Sequence, residues 1–269
     1  YEPFIRKAAG LGVASTKHDK ERYEHKYEYC DLLIAGSGPS GLASAYSAAK
    51  NGAKVILAED KPRYGGSLLT SDVNIGNQSG KDWADGISEL KEMPNVTVKN
   101  RSQVFGYYDH NMLVMSEKVS DHLPKTKKYH PNKRLWYIRA KEVLISSGSI
   151  ERPIVFGNND TPGVMLSSAA KEYLKVYGVL VGKKPLVFTN NDSGYETAIE
   201  FKKHGVDPIV LDSRSNPQSE IIDEAKNLGI NIKNSYVVVA AQGYKKVKSA
   251  DVATLSLIHI WRCRRRCTC

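Results

Sequence analysis

The sequence predicts an α/β fold made of two successive strand–helix–strand units, and three observations support this prediction. The apolar run at residues 31–35 leads into a glycine-rich turn and an alanine-rich helix at residues 40–51. A second apolar run, at residues 54–58, then closes on Glu59. The same plan returns about 155 residues later. Alternating strands and helices of this kind are typical of a parallel sheet.

Composition sets the broad class of the protein. The chain has 269 residues, 41% hydrophobic and 25% charged, which fits a globular protein of about two domains. Because no apolar run reaches about 18 residues, we expect no membrane-spanning helix. The formal net charge is +10, and four arginines at residues 262–266 supply part of it. Without an interleaved aromatic and basic motif, we expect no nucleic-acid binding.

The cysteines are unevenly placed. Cys30 stands alone in the body of the chain, where we expect a buried, inert thiol in a protein of the cytoplasm. The other three, Cys263, Cys267 and Cys269, crowd the last stretch, LSLIHIWRCRRRCTC. A metal site at these cysteines is not expected, because no His or Cys cluster elsewhere in the sequence completes a set of four ligands. We interpret residues 249–269 as a non-native tail that resembles a translated sequencing adapter joined to a truncated gene.

A pass along the chain predicts the remaining elements. Residues 1–28 are polar and are interpreted as a connector. Antiparallel meander strands are predicted in the aromatic and β-branched stretches at residues 104–118 and 133–149, and another buried strand at residues 142–147. Further helices are predicted at residues 81–93, 167–177, 193–204 and 219–228, and further strands at residues 95–99, 184–189, 207–211 and 230–239.

The motif Gly36-Ser37-Gly38-Pro39-Ser40-Gly41 carries the main functional prediction. Gly36 permits a tight turn, Gly38 lets a pyrophosphate approach the backbone, and Gly41 lets the helix pack closely on the strand. The start of the helix then offers free N–H groups and partial positive charge to phosphates. The motif is informative because it lies between a strand and a helix. A glycine turn without a ligand is the alternative.

Two acidic residues and a glycine pair follow. Glu59 lies 18 residues after Gly41, where a carboxylate accepts from ribose hydroxyls and disfavours a 2′-phosphate, so NADP is not expected. The glycines of Asp60-Lys61-Pro62-Arg63-Tyr64-Gly65-Gly66-Ser67-Leu68 allow backbone contact with a diphosphate or ribityl group. An ordinary glycine turn is again the alternative.

Two more segments complete the predicted architecture. Ser147 and Gly148 end a buried strand and would pass close to the nucleotide. In the second unit the corresponding turn reads Thr189-Asn190-Asn191-Asp192-Ser193-Gly194, where side chains and the Asp192 charge oppose a dinucleotide. The fold class is therefore a Rossmann-like FAD/NAD(P)-binding domain of glutathione-reductase type, at residues 29–155, with a second, degenerate and incomplete dinucleotide-binding-like domain at residues 156–248. We expect no catalytic residue and no metal site.

The chain resembles the alpha subunits of heterotetrameric sarcosine oxidases over most of residues 1–240. The stretches that carry the resemblance are YEPFIRKAAGLG, GSGPSGLASA, EDKPRYGGSLL, FGYYDHN, RLWYIRAKEVLISSG, ERPIVFGNNDTPGVMLSSA and VFTNNDSGYETA. The last three are more distinctive than the glycine motif, and the degenerate second turn is itself part of the resemblance.

The resemblance implies an oxidoreductase subunit of a cytoplasmic complex with beta, gamma and delta subunits. Such complexes oxidatively demethylate sarcosine to glycine, produce hydrogen peroxide and pass the one-carbon unit to tetrahydrofolate. The amine is oxidised at FAD in the beta subunit, FMN lies at the alpha–beta interface, and the alpha subunit holds NAD. The nucleotide contacts expected here are Gly36, Gly38, Pro39, Ser40, Gly41, Glu59, Asp60, Gly66, Ser67, Ser147 and Gly148.

The chain departs from these subunits in extent. It lacks their N-terminal ferredoxin-like region, their C-terminal folate-binding part, and the strand that returns to finish the nucleotide site. We therefore expect a fragment that is inactive by itself. Two alternatives stay open: an FAD-binding subunit of a related amine or amino-acid dehydrogenase, and a non-catalytic scaffold subunit.

Overall fold

The computed structural model describes residues 1–10, 12, 14–72, 74–75, 78–80, 83, 86–124 and 130–255. The chain divides into two compact units. The first comprises the described parts of residues 1–64 and 85–147, and the second comprises residues 65–84 and the chain from Gly148 onward. The Arg/Cys-rich residues 256–269 of the predicted non-native tail lie outside the described residues.

The elements follow one another as the alternation in the sequence predicts. The described helices are α1 (Glu2–Ala8), α2 (Pro39–Lys50), α3 (Ile87–Glu92), α4 (Ser167–Tyr177), α5 (Ser193–Lys203) and α6 (Glu220–Asn227). The described strands are β1 (Tyr23–Ala35), β2 (Val55–Ala58), β3 (Asn74–Ile75), β4 (Gln78–Ser79), β5 (Val96–Lys99), β6 (Ser102–Tyr108), β7 (Met112–Lys118), β8 (Lys133–Ile145), β9 (Leu186–Thr189), β10 (Ile209–Asp212), β11 (Asn231–Asn234), β12 (Tyr236–Gly243) and β13 (Val247–Thr254).

The first unit is built on a six-stranded sheet in the order β5-β2-β1-β8-β7-β6. Strands β5, β2, β1 and β8 run parallel, whereas β8, β7 and β6 form an antiparallel meander. All four residues of β2 are buried, as expected for a strand in the parallel part of a sheet. The predicted meander strands are confirmed, and they join the same sheet as the strand–helix–strand unit.

Helix α2 packs on the sheet through its smallest residues. Gly41, Ala45 and Ala49 recur every fourth position and are buried, so they form one face of the helix. Their small side chains let the helix axis approach the strands closely. The helix ends at Lys50, and Gly52 follows with φ +83°, a left-handed conformation that suits glycine after a helix.

The bounds of two strands differ from the sequence prediction. β1 begins at Tyr23 rather than at residue 31, so residues 23–28 belong to the sheet and not to a connector. These residues pair in parallel with β8, and the Tyr27 and Tyr137 rings stack with centroids 5.1 Å apart. The predicted strand at residues 142–147 is the end of β8 and not a separate element. At residues 23–29 of β1, charged residues and His25 are interleaved with tyrosines, so a search for apolar runs misses this part of the strand.

The second unit repeats the plan on a smaller scale. β9, β10 and β11 form a parallel sheet in the order β11-β10-β9, with α5 and α6 as its crossover helices. A core cluster that includes Tyr195, Ala198, Val210 and Ile222 lies between these elements. The predicted helix at residues 167–177 is confirmed as α4, and the helix predicted at residues 193–204 ends one residue earlier.

The unit boundaries differ from those read from the sequence. The first unit ends at Ser147 instead of residue 155, and the second takes in residues 65–84 from the earlier part of the chain. The hairpin of β12 and β13 reaches Thr254, so residues 249–254 are the second strand of this hairpin rather than the start of a tail. Among the described residues, no helix has the length and apolarity needed to cross a membrane.

Candidate nucleotide-binding site

The turn after β1 is shaped by Gly36. Its φ of +105° lies in a region that side-chain-bearing residues avoid, and its N–H donates to the carbonyl of Ala58 at 2.8 Å. A Cβ at this position would lie 2.3 Å from the backbone oxygen of Ser146. Gly36 is therefore required by the close passage of the chain after β8, as well as by the turn itself.

Gly41 is required by the packing of α2 on that turn. A Cβ here would lie 2.0 Å from the carbonyl oxygen of Gly36 and 3.4 Å from the side chain of Ile34. The first contact is impossible without a backbone shift. The role predicted for this glycine, close approach of the helix to the strand, agrees with these distances.

Gly38 has a different environment. Apart from its chain neighbours, no heavy atom of the described chain lies within 4 Å of the place a Cβ would take. Its φ of −68° and ψ of −176° are open to any residue. The protein itself therefore does not need a glycine at this position, and the space beside it is free for a ligand to approach the backbone.

The first turn of α2 faces this space. Pro39 lies at the start of the helix and has no N–H, and Pro39 and Ser40 are both exposed. In the part of the chain that the structure describes, no side chain caps the helix. The N–H groups of the first turn are the ones that a helix cannot satisfy internally, so they can donate to an anion.

Glu59 ties the end of β2 to the glycine turn. Only 7% of this residue is exposed, and its Oε2 accepts from the N–H and the hydroxyl of Ser37 at 2.9 and 2.6 Å. Its Oε1 accepts from the N–H of Lys61 at 3.0 Å. Ser37 is fully buried. Ser37 is an unspecified position of the glycine motif, and nothing in the sequence pattern predicts this contact. Asp60, which follows Glu59 in the chain, is exposed.

Ser146 is a second residue that the sequence argument missed. Its N–H donates to Ala35 at 2.8 Å, which continues the pairing of β1 and β8 beyond the last residue of β8. Its hydroxyl oxygen is buried and has no hydrogen-bond partner within the described residues. Ser147, the residue predicted for this position, is exposed. A buried hydroxyl without a partner fits a site where a ligand supplies the missing hydrogen bond.

Three of the predicted contacts belong to the second unit. Gly66 has φ +53° and begins a 3-10 turn, Gly66–Leu69, in which Ser67 is exposed. Gly148 is exposed and has φ +70°. Both glycines therefore adopt conformations that suit glycine. A contact of these residues with a nucleotide held by the first unit stays a prediction.

In the second unit, ion pairs between residues of the chain occupy the corresponding turn. Arg214 bridges Asp192 at the start of α5 and Asp212 at the end of β10, with N–O distances of 2.8 and 2.7 Å. Tyr195 also donates to Asp212 at 2.8 Å. Burial alone would raise the pKa of Asp212, but the hydrogen bonds from Arg214 and Tyr195 hold it below its usual value. A Cβ on Gly194 would lie 2.6 Å from the Cβ of Thr189, so this glycine serves packing.

Other candidate chemistry is limited. Cys30 is fully buried, and burial raises the pKa of its thiol to about 11, which keeps it protonated and unreactive at neutral pH. Across the ranges that the structure describes, no group of three His, Cys, Asp or Glu side chains is placed to hold a metal ion.

Comparison with known proteins gives the family. A family model described as pyridine nucleotide-disulphide oxidoreductase matches residues 30–258. The chain belongs to this family. The membership confirms the predicted α/β nucleotide-binding fold class and the predicted oxidoreductase class. A flavin or nicotinamide nucleotide is the kind of cofactor that this family implies.

Within this family, the chain is similar to sarcosine oxidase alpha subunits, as predicted. The subunit of Rhizobium meliloti (strain 1021) is 41% identical over 254 residues, which cover 94% of this chain and 25% of the relative. That of Corynebacterium sp. (strain U-96) is 35% identical over 252 residues, or 92% of this chain and 26% of the relative. The chain thus spans about a quarter of the length of these relatives.

A solved structure supports the fold of this family member. Thioredoxin reductase of T. acidophilum superimposes with a TM-score of 0.63 at 16% identity, covering 85% of this chain and 72% of that chain. At this level of identity the likeness concerns the fold alone.

Proposed function

We propose that the first unit binds the ADP part of a dinucleotide, NAD or alternatively FAD, at the start of α2. Gly38 carries this proposal. The chain's own contacts account for Gly36 and Gly41, whereas a diphosphate resting against the backbone accounts for Gly38. The uncapped first turn of the helix supports phosphate binding at the same place.

The donors and acceptors around the turn fit such a nucleotide. The carboxylate of Glu59 is held at the end of β2, where it can accept from a ribose hydroxyl and repel a 2′-phosphate. The hydroxyl of Ser146, which has no hydrogen-bond partner within the described residues, can donate to the ligand. We extend the proposed contacts to the other residues expected from the sequence: Pro39, Ser40, Asp60, Gly66, Ser67, Ser147 and Gly148.

We propose that this chain is the nucleotide-binding part of the alpha subunit in a sarcosine oxidase complex. The names and identities of the two relatives support this assignment. The complex would contain beta, gamma and delta subunits, act in the cytoplasm and demethylate sarcosine to glycine with release of hydrogen peroxide and transfer of one carbon to tetrahydrofolate. This chain would hold NAD as a bound nucleotide, while FAD in the beta subunit and FMN at the interface supply the redox chemistry.

A related amine or amino-acid dehydrogenase subunit with FAD in the same site is the alternative. NAD and FAD share the ADP group that Gly38 and Glu59 would contact, so these residues suit both. The test is to express the full-length protein with its neighbouring subunits, extract the bound cofactors and identify them by mass. NAD associated with the alpha subunit supports the proposal, and FAD in its place supports the alternative.

The scaffold hypothesis requires its own experiment. Gly38→Leu would fill the space beside the turn and displace a diphosphate. If the variant complex loses the nucleotide but keeps its assembly and its oxidase activity, the first unit serves assembly alone. If nucleotide and activity are lost together, the scaffold hypothesis is wrong.

A further inference from the structure

Glu59 is a buried carboxylate beside a proposed anion site, and this placement has an energetic cost. Taking a carboxylate out of water costs several kcal/mol unless hydrogen bonds replace its hydration. Here the replacement comes from backbone and side-chain donors of the chain itself. Ser37 provides two of them, its N–H and its hydroxyl, and both go to the same oxygen, Oε2.

One carboxylate oxygen of Glu59 can accept a further hydrogen bond. An ionised carboxylate offers about four acceptor positions, two on each oxygen. Ser37 fills both positions on Oε2, and the N–H of Lys61 fills one on Oε1. Among the residues that the structure describes, the remaining open position is therefore on Oε1. A ribose hydroxyl can donate to it, whereas an ionised 2′-phosphate has no hydrogen to donate and carries charge of the same sign.

We infer that Ser37 is a positioning residue that fixes Glu59 for recognition of an unphosphorylated adenosine ribose. This inference rests on the proposed function and adds the residue that sets its selectivity. The hydroxyl of Ser37 anchors Oε2 and so presents Oε1 to the ligand without further rearrangement. Because these groups are already ordered before the ligand binds, binding costs less free energy than it would if they had to be ordered first.

Isothermal titration calorimetry of the full chain with ADP-ribose and with 2′-phospho-ADP-ribose tests the inference. Both probes carry the diphosphate and the adenosine, and they differ only at the ribose 2′ position. Ser37→Ala should weaken ADP-ribose binding about tenfold, as expected for loss of a hydrogen bond to a charged group. Binding of the 2′-phosphate compound should change by less than about twofold, so the preference between the two probes should fall.

A double-mutant cycle shows whether Ser37 acts through Glu59. In a Glu59→Gln background, Ser37→Ala should have almost no further effect on ADP-ribose binding. Ser47→Ala makes the same chemical change on the exposed side of α2 and should leave both affinities unchanged. If Ser37→Ala does not fold, Ser37→Cys places a weaker donor on a slightly larger side chain, and it should shift the preference in the same direction.

The outcomes separate this inference from the proposed function. Equal weakening of both probes, or full additivity with Glu59→Gln, would mean that Ser37 only supports the turn. An unchanged preference in Ser37→Ala would equally overturn the inference while leaving nucleotide binding intact. If the unaltered, folded chain binds neither probe, the proposed function itself fails.

Discussion

At the scale of single residues, the three motif glycines make separable contributions. Gly36→Ala should cost about 3 kcal/mol or more of unfolding free energy, because it combines a strained φ with a 2.3 Å contact. Gly38→Ala should cost about 1 kcal/mol or less, since its Cβ meets no described atom beyond its chain neighbours. Urea denaturation measures both changes.

The effects of these glycine variants on nucleotide affinity should differ from their effects on stability. Gly38→Ala should lose most of its affinity for ADP-ribose while staying folded, because its Cβ occupies the space assigned to the diphosphate. Calorimetry on the folded variant checks this. A Gly38→Ala protein that binds as well as the unaltered chain would remove the main support for the site.

Ser146 allows a prediction in which stability and binding move differently. Its hydroxyl has no partner in the described structure, so Ser146→Ala breaks no hydrogen bond and should leave the unfolding free energy equal or about 1 kcal/mol higher. Affinity for ADP-ribose should fall by about five- to tenfold. Thermal denaturation and calorimetry measure the two effects.

Ser102 is a matched control for Ser146. It is also buried in the first unit, but its hydroxyl donates to Asn100 at 2.9 Å. Ser102→Ala should therefore cost about 1 kcal/mol of stability and leave nucleotide affinity unchanged. The prediction for Ser146 is wrong if its replacement behaves like that of Ser102.

The sequence predicts the glycines of this site better than its serines. A GxGxxG motif between a strand and a helix assigns a role to each glycine, and the contacts of Gly36 and Gly41 match those roles. Ser37 and Ser146 give no such signal, because small polar residues are common in turns. Ser37 meets Glu59 through the pairing of β1 with β2. Ser146 reaches Ala35 through the pairing of β1 with β8, which joins residues 110 apart in the chain.

At the scale of elements, the two strand–helix turns differ in what fills them. In the second turn Arg214 lies between Asp192 and Asp212, and the Asp212 side chain is fully buried. Arg214→Ala should lower the unfolding free energy by about 2 to 3 kcal/mol, because it leaves a buried carboxylate without its cation. The figure is below that of a fully buried pair because Arg214 is partly exposed.

Lys226 provides the control for this element. It pairs with Asp223 on the exposed surface of α6 at 2.9 Å. Lys226→Ala should change the stability by less than about 0.5 kcal/mol. Urea denaturation of both variants makes the comparison, and equal, small effects would show that the Arg214 bridge is not an organising contact of the second unit.

Elements were predictable where one physical signal dominated. Helices α4 and α5 carry a regular apolar face and a glycine close behind the last turn, and their predicted bounds agree to within a residue. β1 was predicted too short because its first half is held by cross-strand pairs, such as Glu24 with Arg134 of β8 at 2.9 Å. Such pairs are visible only once the partner strand is known.

At the scale of the whole molecule, stability should depend on pH through both units. The pKa of Glu28 is lowered by its hydrogen bond to Lys54, and that of Asp72 by its hydrogen bond to Lys175. The pKa of Asp212 is also lowered, because the hydrogen bonds from Arg214 outweigh the effect of burial. A carboxyl group with a depressed pKa in the folded state stabilises the fold above its unfolded pKa, and this contribution is lost as pH falls through the folded value.

At alkaline pH, the stability should fall as the pH rises. Burial raises the pKa of Cys30 to about 11 and that of Tyr64 to about 12. Since both groups ionise more easily in the unfolded chain, their contribution is complete below the unfolded pKa and is lost as pH rises toward the folded value. The free energy of unfolding should therefore be highest between about pH 5 and 8 and fall on either side.

Urea denaturation at a series of pH values tests this profile, and two variants test its causes. Cys30→Ala removes the buried thiol, so it should lower the stability at neutral pH while flattening the decline that begins near pH 9. Arg214→Ala should weaken the acid decline, because Asp212 then loses the partner that depresses its pKa. A stability that stays level from pH 3 to 11 would contradict the assignment of these buried groups, since each must bind or release a proton on unfolding.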